Sequence, residues 1–366
     1  MQNIIVNATA LRSKGALNIL LQFLGAIPED EFTYVVFIDE SVQFKKKLSN
    51  VKIITLNKRS YFSRLLWDTH GLKLWLKSSH ITPVATITLQ NTNFRVNAKC
   101  PNYIYYHQPV PLFPYKWSFF NSNERILWFY KNIYPFFVKL FINPRTKIFV
   151  QLNCIKEAFV KKYRIKAEKI NVVFPEIEYL NVQKMSSITI NKQTINLFYP
   201  AMGAVYKNHK ILFEALSIID NSLSKKVVLY LTCDKEVRPK YLYQNIEIIH
   251  LDGLSYNEVM GLLNDADACV FPSYIETFGL PLIEAASCGT KVITADLPYA
   301  REVLEGYKGV TFVNFQDADA WGNEILRLCA KENKKIEPFC RENTASWNDF
   351  FEIIKQDILC SSAKSF

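Results

Sequence analysis

The stretch Phe271-Pro-Ser-Tyr-Ile-Glu-Thr-Phe-Gly-Leu-Pro-Leu-Ile-Glu-Ala-Ala-Ser-Cys-Gly289 decides the fold. It opens on the end of a short apolar run, Ala268-Cys-Val-Phe271, of the kind that forms a strand buried on both faces of a parallel sheet. Pro272 and Ser273 stop that strand. Pro281 suits the first helical position, and Gly289 the residue beyond the last. The stretch therefore predicts strand, loop and helix, with Glu276 in the loop and Glu284 about one turn into the helix. Open α/β sheets bind ligands at such a mouth, at the carboxyl end of a parallel strand. The backbone amides of Thr277, Phe278 and Gly279, with the positive end of the helix dipole, suit a phosphate. Gly279 has no Cβ, so a ligand can approach its backbone closely. A carboxylate deeper in the site suits sugar hydroxyls, which need acceptors.

This segment resembles the hallmark of the family-4 (group 1) glycosyltransferases, retaining enzymes of GT-B fold. Their signature is Glu, seven residues, Glu, within Pro-Ser-x-x-Glu-x-Phe-Gly-Leu-x-x-x-Glu-Ala-x-Ala-x-Gly. Pro272, Ser273, Glu276, Phe278, Gly279, Leu280, Glu284, Ala285 and Gly289 match it. Ser287 stands where the family usually has a second Ala, one small residue for another. Two glutamates at this spacing alone would mean little; the whole string is specific. Without the resemblance, the stretch reads as a helix start with favourably placed acids.

Working outward, the segment from 195 to 294 alternates strand and helix patterns. Ile195 to Tyr199 is a strand, Asn208 to Ile218 a helix, and Val227 to Leu231, Ile246 to His250 and Lys291 to Thr294 further strands. The first half repeats the alternation. Asn3 to Val6 reads as a strand, followed by a loop and a helix opening at Gly15. Strands follow at Phe32 to Ile38, Val51 to Leu56, Val84 to Leu89, Tyr103 to Tyr106, Ile148 to Val150 and Ile170 to Val173. Such alternation predicts α/β domains built on parallel sheets. Residues 178–194 are polar and weakly patterned, and read as a linker. The resemblance implies GT-B architecture: two doubly wound, Rossmann-like domains facing across a cleft. Residues 1–177 would form the N-terminal, acceptor-side domain and 195–345 the nucleotide-sugar-binding domain. Residues 346–366, with a helix near Trp347 to Ile358, would cross back to the first. The resemblance is strong over 195–305 and weak elsewhere.

Composition sets the outer limits. A chain of 366 residues suggests about two domains. A formal net charge of +10 favours anionic partners such as nucleotide diphosphates, lipid phosphates or nucleic acid, although a Lys-rich surface that aids solubility would carry the same charge. Eight cysteines fall without Cys-x-x-Cys spacing, which predicts a reducing compartment and no zinc site. The start, Met1-Gln-Asn-Ile-Ile-Val6, has no signal-peptide character.

Several further residues could carry chemistry. Lys207, in Tyr199-Pro-Ala-Met-Gly-Ala-Val-Tyr-Lys-Asn-His-Lys210, would sit at the top of a strand, where its ammonium could meet a diphosphate. The resemblance supports that role. The commoner family version has an Arg five residues earlier, where this chain has Met202, so Lys207 acts alone, with Lys210, or with a cation from the other domain. A solvated lysine at a helix start is the plainer alternative. His107 ends the strand Tyr103-Ile-Tyr-Tyr106, and many family members carry a His at such a strand end, facing the donor sugar. It could hydrogen-bond a sugar hydroxyl; it also fits a packed aromatic turn. Lys14 and Gly15 occupy the place of a family Gly-Gly loop that approaches acceptor or diphosphate, although a plain helix start explains them nearly as well. No G-x-G-x-x-G argues for NAD or FAD. Asp265-Ala-Asp267 mimics a metal-binding Asp-x-Asp, but it precedes a strand, where acids commonly serve as turn and cap groups.

Residues 112–143 hold twelve aromatics with Lys116, Arg125, Lys131 and Lys139 against one acid, Glu124. The pattern fits a helix pair facing the core. It also fits a membrane interface, with rings among headgroups and cations on anionic lipid, or a surface on which nucleic-acid bases stack.

The reading that results is a cytoplasmic, retaining, metal-independent glycosyltransferase, at the inner face of the membrane if residues 112–143 meet it. It would move a sugar from a nucleotide-diphosphate donor, with no further cofactor, to a glycan acceptor in surface polysaccharide biosynthesis. The acceptor would be lipid-linked in the membrane case, and no nucleic acid is expected. By the resemblance, Glu284 would hold the nucleotide ribose. Glu276 and the amides of 277–279 would hold the donor sugar and diphosphate, and Lys207 the developing charge. The rivals are a nucleotide-sugar epimerase of the same fold, a phosphorylase-like activity needing a lysine-bound cofactor, and a non-enzymatic basic membrane- or nucleic-acid-binding module.

Overall fold

The computed structural model describes residues 2–12, 14–44, 48–57, 60–97, 100–176, 190–330, 335–341 and 345–363. The chain divides into two units, Met1–Glu176 with Asn343–Phe366, and Ile177–Glu342. The expected linker at 178–194 lies outside the described residues as far as position 189.

The first unit contains β1 (Gln2–Asn7), α1 (Lys14–Ala26), β2 (Phe32–Asp39), β3 (Val51–Leu56), α2 (Tyr61–Leu66), α3 (Leu72–Ser78), β4 (Pro83–Thr88), β5 (Asn102–Tyr105), α4 (Arg125–Asn132), α5 (Tyr134–Lys139), β6 (Thr146–Val150), α6 (Asn153–Tyr163) and β7 (Ile170–Val172). Among the described residues its strands form one parallel sheet in the order β3-β2-β1-β4-β5-β6-β7. The order reverses between β1 and β4, the topological switch point of an open sheet.

Both faces of this sheet are buried, which explains its near-continuous apolar strands. Ile4, Val6, Val36 and Ile87 point to one face, against Phe23 of α1. Ile5, Val35 and Phe37 point to the other, against Trp67, Leu72 and Phe94. Successive side chains alternate because a strand has a period of two. The final helix, called α12 below (Trp347–Ala363), packs on the first face: Trp347 is fully buried and stacks on Tyr105 at 4.7 Å. Asp357 fastens it, accepting from the Tyr103 hydroxyl at 3.1 Å and pairing with Lys147 at 2.8 Å.

The second unit contains β8 (Ile195–Tyr199), α7 (His209–Ile219), β9 (Val227–Leu231), β10 (Ile246–His250), α8 (Tyr256–Asp265), β11 (Ala268–Phe271), α9 (Leu280–Ser287), β12 (Lys291–Ala295), α10 (Pro298–Val303), β13 (Val310–Val313) and α11 (Ala318–Ala330). The strands form a second parallel sheet, in the order β10-β9-β8-β11-β12-β13. Its switch point lies between β8 and β11. β11 is fully apolar and buried, as its sequence predicts. α9 begins at Leu280, one residue before Pro281, because Gly279 in a left-handed conformation (φ +86°, ψ 56°) is the cap. The helix ends at Ser287. Gly289, at φ +67°, closes a Schellman-like turn in which the Thr290 amide donates to the Ala285 carbonyl at 3.0 Å.

Candidate functional site

The two strands that flank the second switch point each deliver one charged side chain to it. Lys207 follows β8 and Glu276 follows β11, and the Lys207 ammonium lies 2.5 Å from Glu276 Oε1. Their side chains are only 14% and 13% exposed. The ammonium also lies 5.6 Å from the ring centres of Tyr206 and Phe271, within reach of a cation–π attraction.

The backbone beneath this pair is held at several points. The Tyr199 hydroxyl, from β8, donates to the Lys207 carbonyl at 2.6 Å. Asn208 stands in the left-handed region (φ 58°), and its amide donates to the Phe315 carbonyl at 2.8 Å. The Tyr274 amide donates to the Tyr206 carbonyl at 3.0 Å, so the loops after β8 and β11 are joined directly. Tyr299 of α10 supports the second loop, donating to the Ser273 carbonyl at 2.6 Å.

Thr277, Phe278 and Gly279 lead into α9. A Cβ on Gly279 would come within 3.2 Å of Leu282 Cδ1 and 3.3 Å of Tyr299 Cε2, and its φ is one that other residues rarely adopt. Glu284, one turn into α9, is 7% exposed. Burial pushes its pKa up to about 7, and a hydrogen bond from Tyr256 opposes the shift. A carboxylate poised there gains from any ligand that brings hydroxyl donors.

Other sequence candidates lie apart from this pair. Lys210 is 84% exposed on α7 and faces Glu214 at 3.1 Å. Asp267, at the opposite end of β11 from Glu276, accepts from the Asn196 amide at 2.7 Å. It therefore serves to join the starts of β8 and β11. Met202, where the family commonly has Arg, is 38% exposed.

In the first unit, Gly15 is exposed near the start of α1, and the side chain of Lys14 lies outside the described residues. His107 is half-buried. Its Nε2 lies 2.8 Å from the Leu89 carbonyl, and its backbone amide donates to Asn91 Oδ1 at 2.6 Å. A carbonyl can only accept, so Nε2 carries a proton and the neutral ring keeps Nδ1 as an acceptor. Burial lowers the pKa of His107 below the ordinary histidine value, and the Leu89 bond opposes that shift.

Residues 183–345 match the family model for the glycosyl transferases group 1. That match covers a little under half of the chain, chiefly the second unit, which is similar in sequence to the group 1 glycosyltransferases. The chain is 27% identical over 213 residues to the O-antigen chain mannosyltransferase RfbU of Salmonella typhimurium, an alignment covering 54% of this chain and 55% of RfbU. The chain thus aligns with about half the length of that relative. Its fold is similar to WaaG, a glycosyltransferase of lipopolysaccharide biosynthesis, with a TM-score of 0.62 at 14% identity over 90% of each chain. It is similar also to HepE of Anabaena, crystallised with UDP and glucose, with a TM-score of 0.61 at 14% identity over 98% of this chain and 99% of that one. These likenesses show the GT-B fold.

Two features of the structure escape motif reading. The first is Asp68, a carboxylate only 8% exposed in the first unit. It sits in a π-helical turn, Trp67–Gly71, between α2 and α3. The available signal was a lone acid following the apolar Leu65-Leu-Trp67. The second is the division of the aromatic stretch. Trp117, Leu127 and Val138 are buried, whereas Phe120 is 92% and Phe136 64% exposed. Lys116, Arg125 and Lys139 are exposed as well. Lys131 turns inward, donating to the Phe113 carbonyl. Among the described residues no helix is long and apolar enough to cross a membrane.

Proposed function

We propose that this chain transfers a sugar from a nucleotide-diphosphate donor to a glycan acceptor, with retention of configuration and without a metal ion. The observation that carries the proposal is the Lys207–Glu276 pair beside the mouth of α9, at the switch point of the second sheet. In this reading the ribose hydroxyls donate to Glu284. The diphosphate lies against the amides of 277–279 and the start of α9. Glu276 accepts from a hydroxyl of the donor sugar. As the bond between sugar and diphosphate breaks, negative charge grows on the leaving oxygen, and Lys207 stabilises it. The acceptor hydroxyl attacks from the leaving-group face and passes its proton to the departing diphosphate. His107 hydrogen-bonds a hydroxyl of the transferred sugar. The loop at Lys14 and Gly15 serves the acceptor or the diphosphate, and Lys210 adds positive charge at longer range.

Similarity to RfbU, an O-antigen chain mannosyltransferase, favours a part in surface polysaccharide assembly. The exposed Phe120 and Phe136, among exposed Lys116, Arg125 and Lys139, favour contact with anionic lipid carrying the acceptor. A panel of UDP- and GDP-sugars, with octyl glycosides as acceptors and EDTA present, tests the reading. Free nucleoside diphosphate appearing only when acceptor is added supports transfer. Nucleotide sugar interconverted without acceptor supports the epimerase instead. Activity abolished by EDTA and restored by manganese contradicts the metal-free mechanism.

A further inference from the structure

The first sheet also has a switch point, between β1 and β4, and a polar network spans it. Asn7 ends β1 and Gln90 lies just beyond β4, and both side-chain amides donate to Asp68. Asn7 Nδ2 lies 2.8 Å from Oδ1, and Gln90 Nε2 lies 3.1 and 3.0 Å from the two oxygens. The far end of Gln90 is used too. Its Oε1 lies 3.1 Å from the Thr9 hydroxyl and accepts from the Ala10 amide at 3.2 Å. Thr9 and Ala10 begin the loop that leads to Lys14 and Gly15. On the other side, the Leu89 carbonyl and Asn91 side chain, flanking Gln90, hold His107.

The carboxylate reaches this place because of the wide turn. The Leu72 amide donates to the Trp67 carbonyl, five residues back, so the turn holds one residue more than an α-helix would. Such turns cluster at functional sites. Trp67, beside Asp68, packs on Phe37 of β2 with ring centres 5.2 Å apart. The chain of hydrogen bonds has a direction. Burial pushes the Asp68 pKa up to about 7, against the Asn7 and Gln90 bonds and the Arg64 charge. In its ionised form the carboxylate only accepts, so the Gln90 amide faces it with NH2, which leaves the Gln90 oxygen for Ala10 and Thr9.

We propose that Asp68 is a positioning residue. Acting through Asn7 and Gln90, it orients both the loop leading to Lys14 and Gly15 and the strand end holding His107, and so sets acceptor binding. The proposal rests on the transfer reading above. An amide at position 68 would present a donor where Gln90 also donates, and would turn Gln90 around. A carboxylate at position 90 would then accept from the new amide on one side and from Ala10 and Thr9 on the other, so the bond between 68 and 90 runs the opposite way while Ala10 regains its acceptor.

The test compares full-length Asp68→Asn, Gln90→Glu and the double variant. It reads hydrogen exchange of the Ala10 amide, affinity for UDP or GDP, and KM and kcat for transfer to octyl mannoside. Asp68→Asn should speed Ala10 exchange and raise acceptor KM about tenfold, with nucleotide affinity and kcat changed less than about twofold. The double variant should restore both. Thr9→Val, which removes one hydroxyl and keeps the shape, gives the same comparison if Asp68→Asn does not fold. An Ala10 amide indifferent to Asp68 overturns the network, whatever the activity. Restored exchange without restored KM overturns the positioning role. A wild type that transfers nothing while Ala10 still follows Asp68 overturns the transfer reading and leaves the network standing.

Discussion

The two switch points are built from the same topology and opposite chemistry. In the second unit, strands β8 and β11 deliver an ammonium and a carboxylate that meet at 2.5 Å. In the first, β1 and β4 deliver two neutral amides that converge on the buried Asp68. The second arrangement of charges can be re-partitioned by an anionic ligand, since Lys207 can turn from Glu276 to a phosphate. In the first, Asn7 and Gln90 both donate to Asp68, and the Arg64 charge favours the ionised carboxylate. One switch point is arranged to exchange partners and the other to hold a loop in place.

The largest expected effect concerns the core of the first unit. Trp347→Ala removes a fully buried ring from the face of the first sheet, and should cost about 3–5 kcal/mol. Calorimetry should show the first unit melting earlier, with nucleotide-dependent stabilisation of the second retained. A single transition shifted as a whole would break the comparison.

The next effect sharpens the second site. Glu284 has its pKa raised to about 7 by burial, so its ionisation opposes folding. That stability is fully present below the ordinary carboxylate range and is lost as pH rises through 7. Glu284→Gln should therefore be more stable than wild type at pH 8 by about 3 kcal/mol, with the gain vanishing near pH 4. Ribose hydroxyls that donate to the carboxylate favour its ionised form. Wild-type affinity for nucleoside diphosphate should then rise with pH up to about 7, with proton release visible as a buffer-dependent binding enthalpy. A pH-independent affinity, or a Gln variant that binds equally well, would remove Glu284 from the site.

The smallest effect concerns the surface of the first unit. Lys116→Glu with Lys139→Glu should weaken binding to anionic vesicles by on the order of 1 kcal/mol per cation, screened by salt. Lys131 is a poor choice for this test, because its ammonium is used inside the fold by Phe113. Phe120→Ser with Phe136→Ser should weaken the salt-resistant part. Wild type that ignores anionic vesicles at low salt would leave these rings without the partner proposed for them.

What the sequence could reveal follows the range of each interaction. The strand, loop and helix at 268–289 are local, and strand period, capping glycine and proline sufficed to read them. Lys207 and Glu276 could each be singled out, but their contact depends on β8 lying beside β11, which no local pattern encodes. Asp68 carries no local signal for the same reason. Its partners, Asn7 and Gln90, are brought together only by the pairing of β1 with β4. The aromatic stretch was ambiguous because its helices are short, α4 with eight residues and α5 with six, too few to show which rings face inward.

The central claim is that Lys207 and Glu276 act together on the breaking bond between sugar and diphosphate. A double-mutant cycle in acceptor-dependent nucleotide release, with EDTA present, tests it most directly. Lys207→Met and Glu276→Gln should each lower kcat by about 10²–10³-fold. The double variant should lose little more than either alone, because groups that act as a unit are strongly non-additive. Single variants that release nucleotide at the wild-type rate, or two losses that simply multiply, would contradict it.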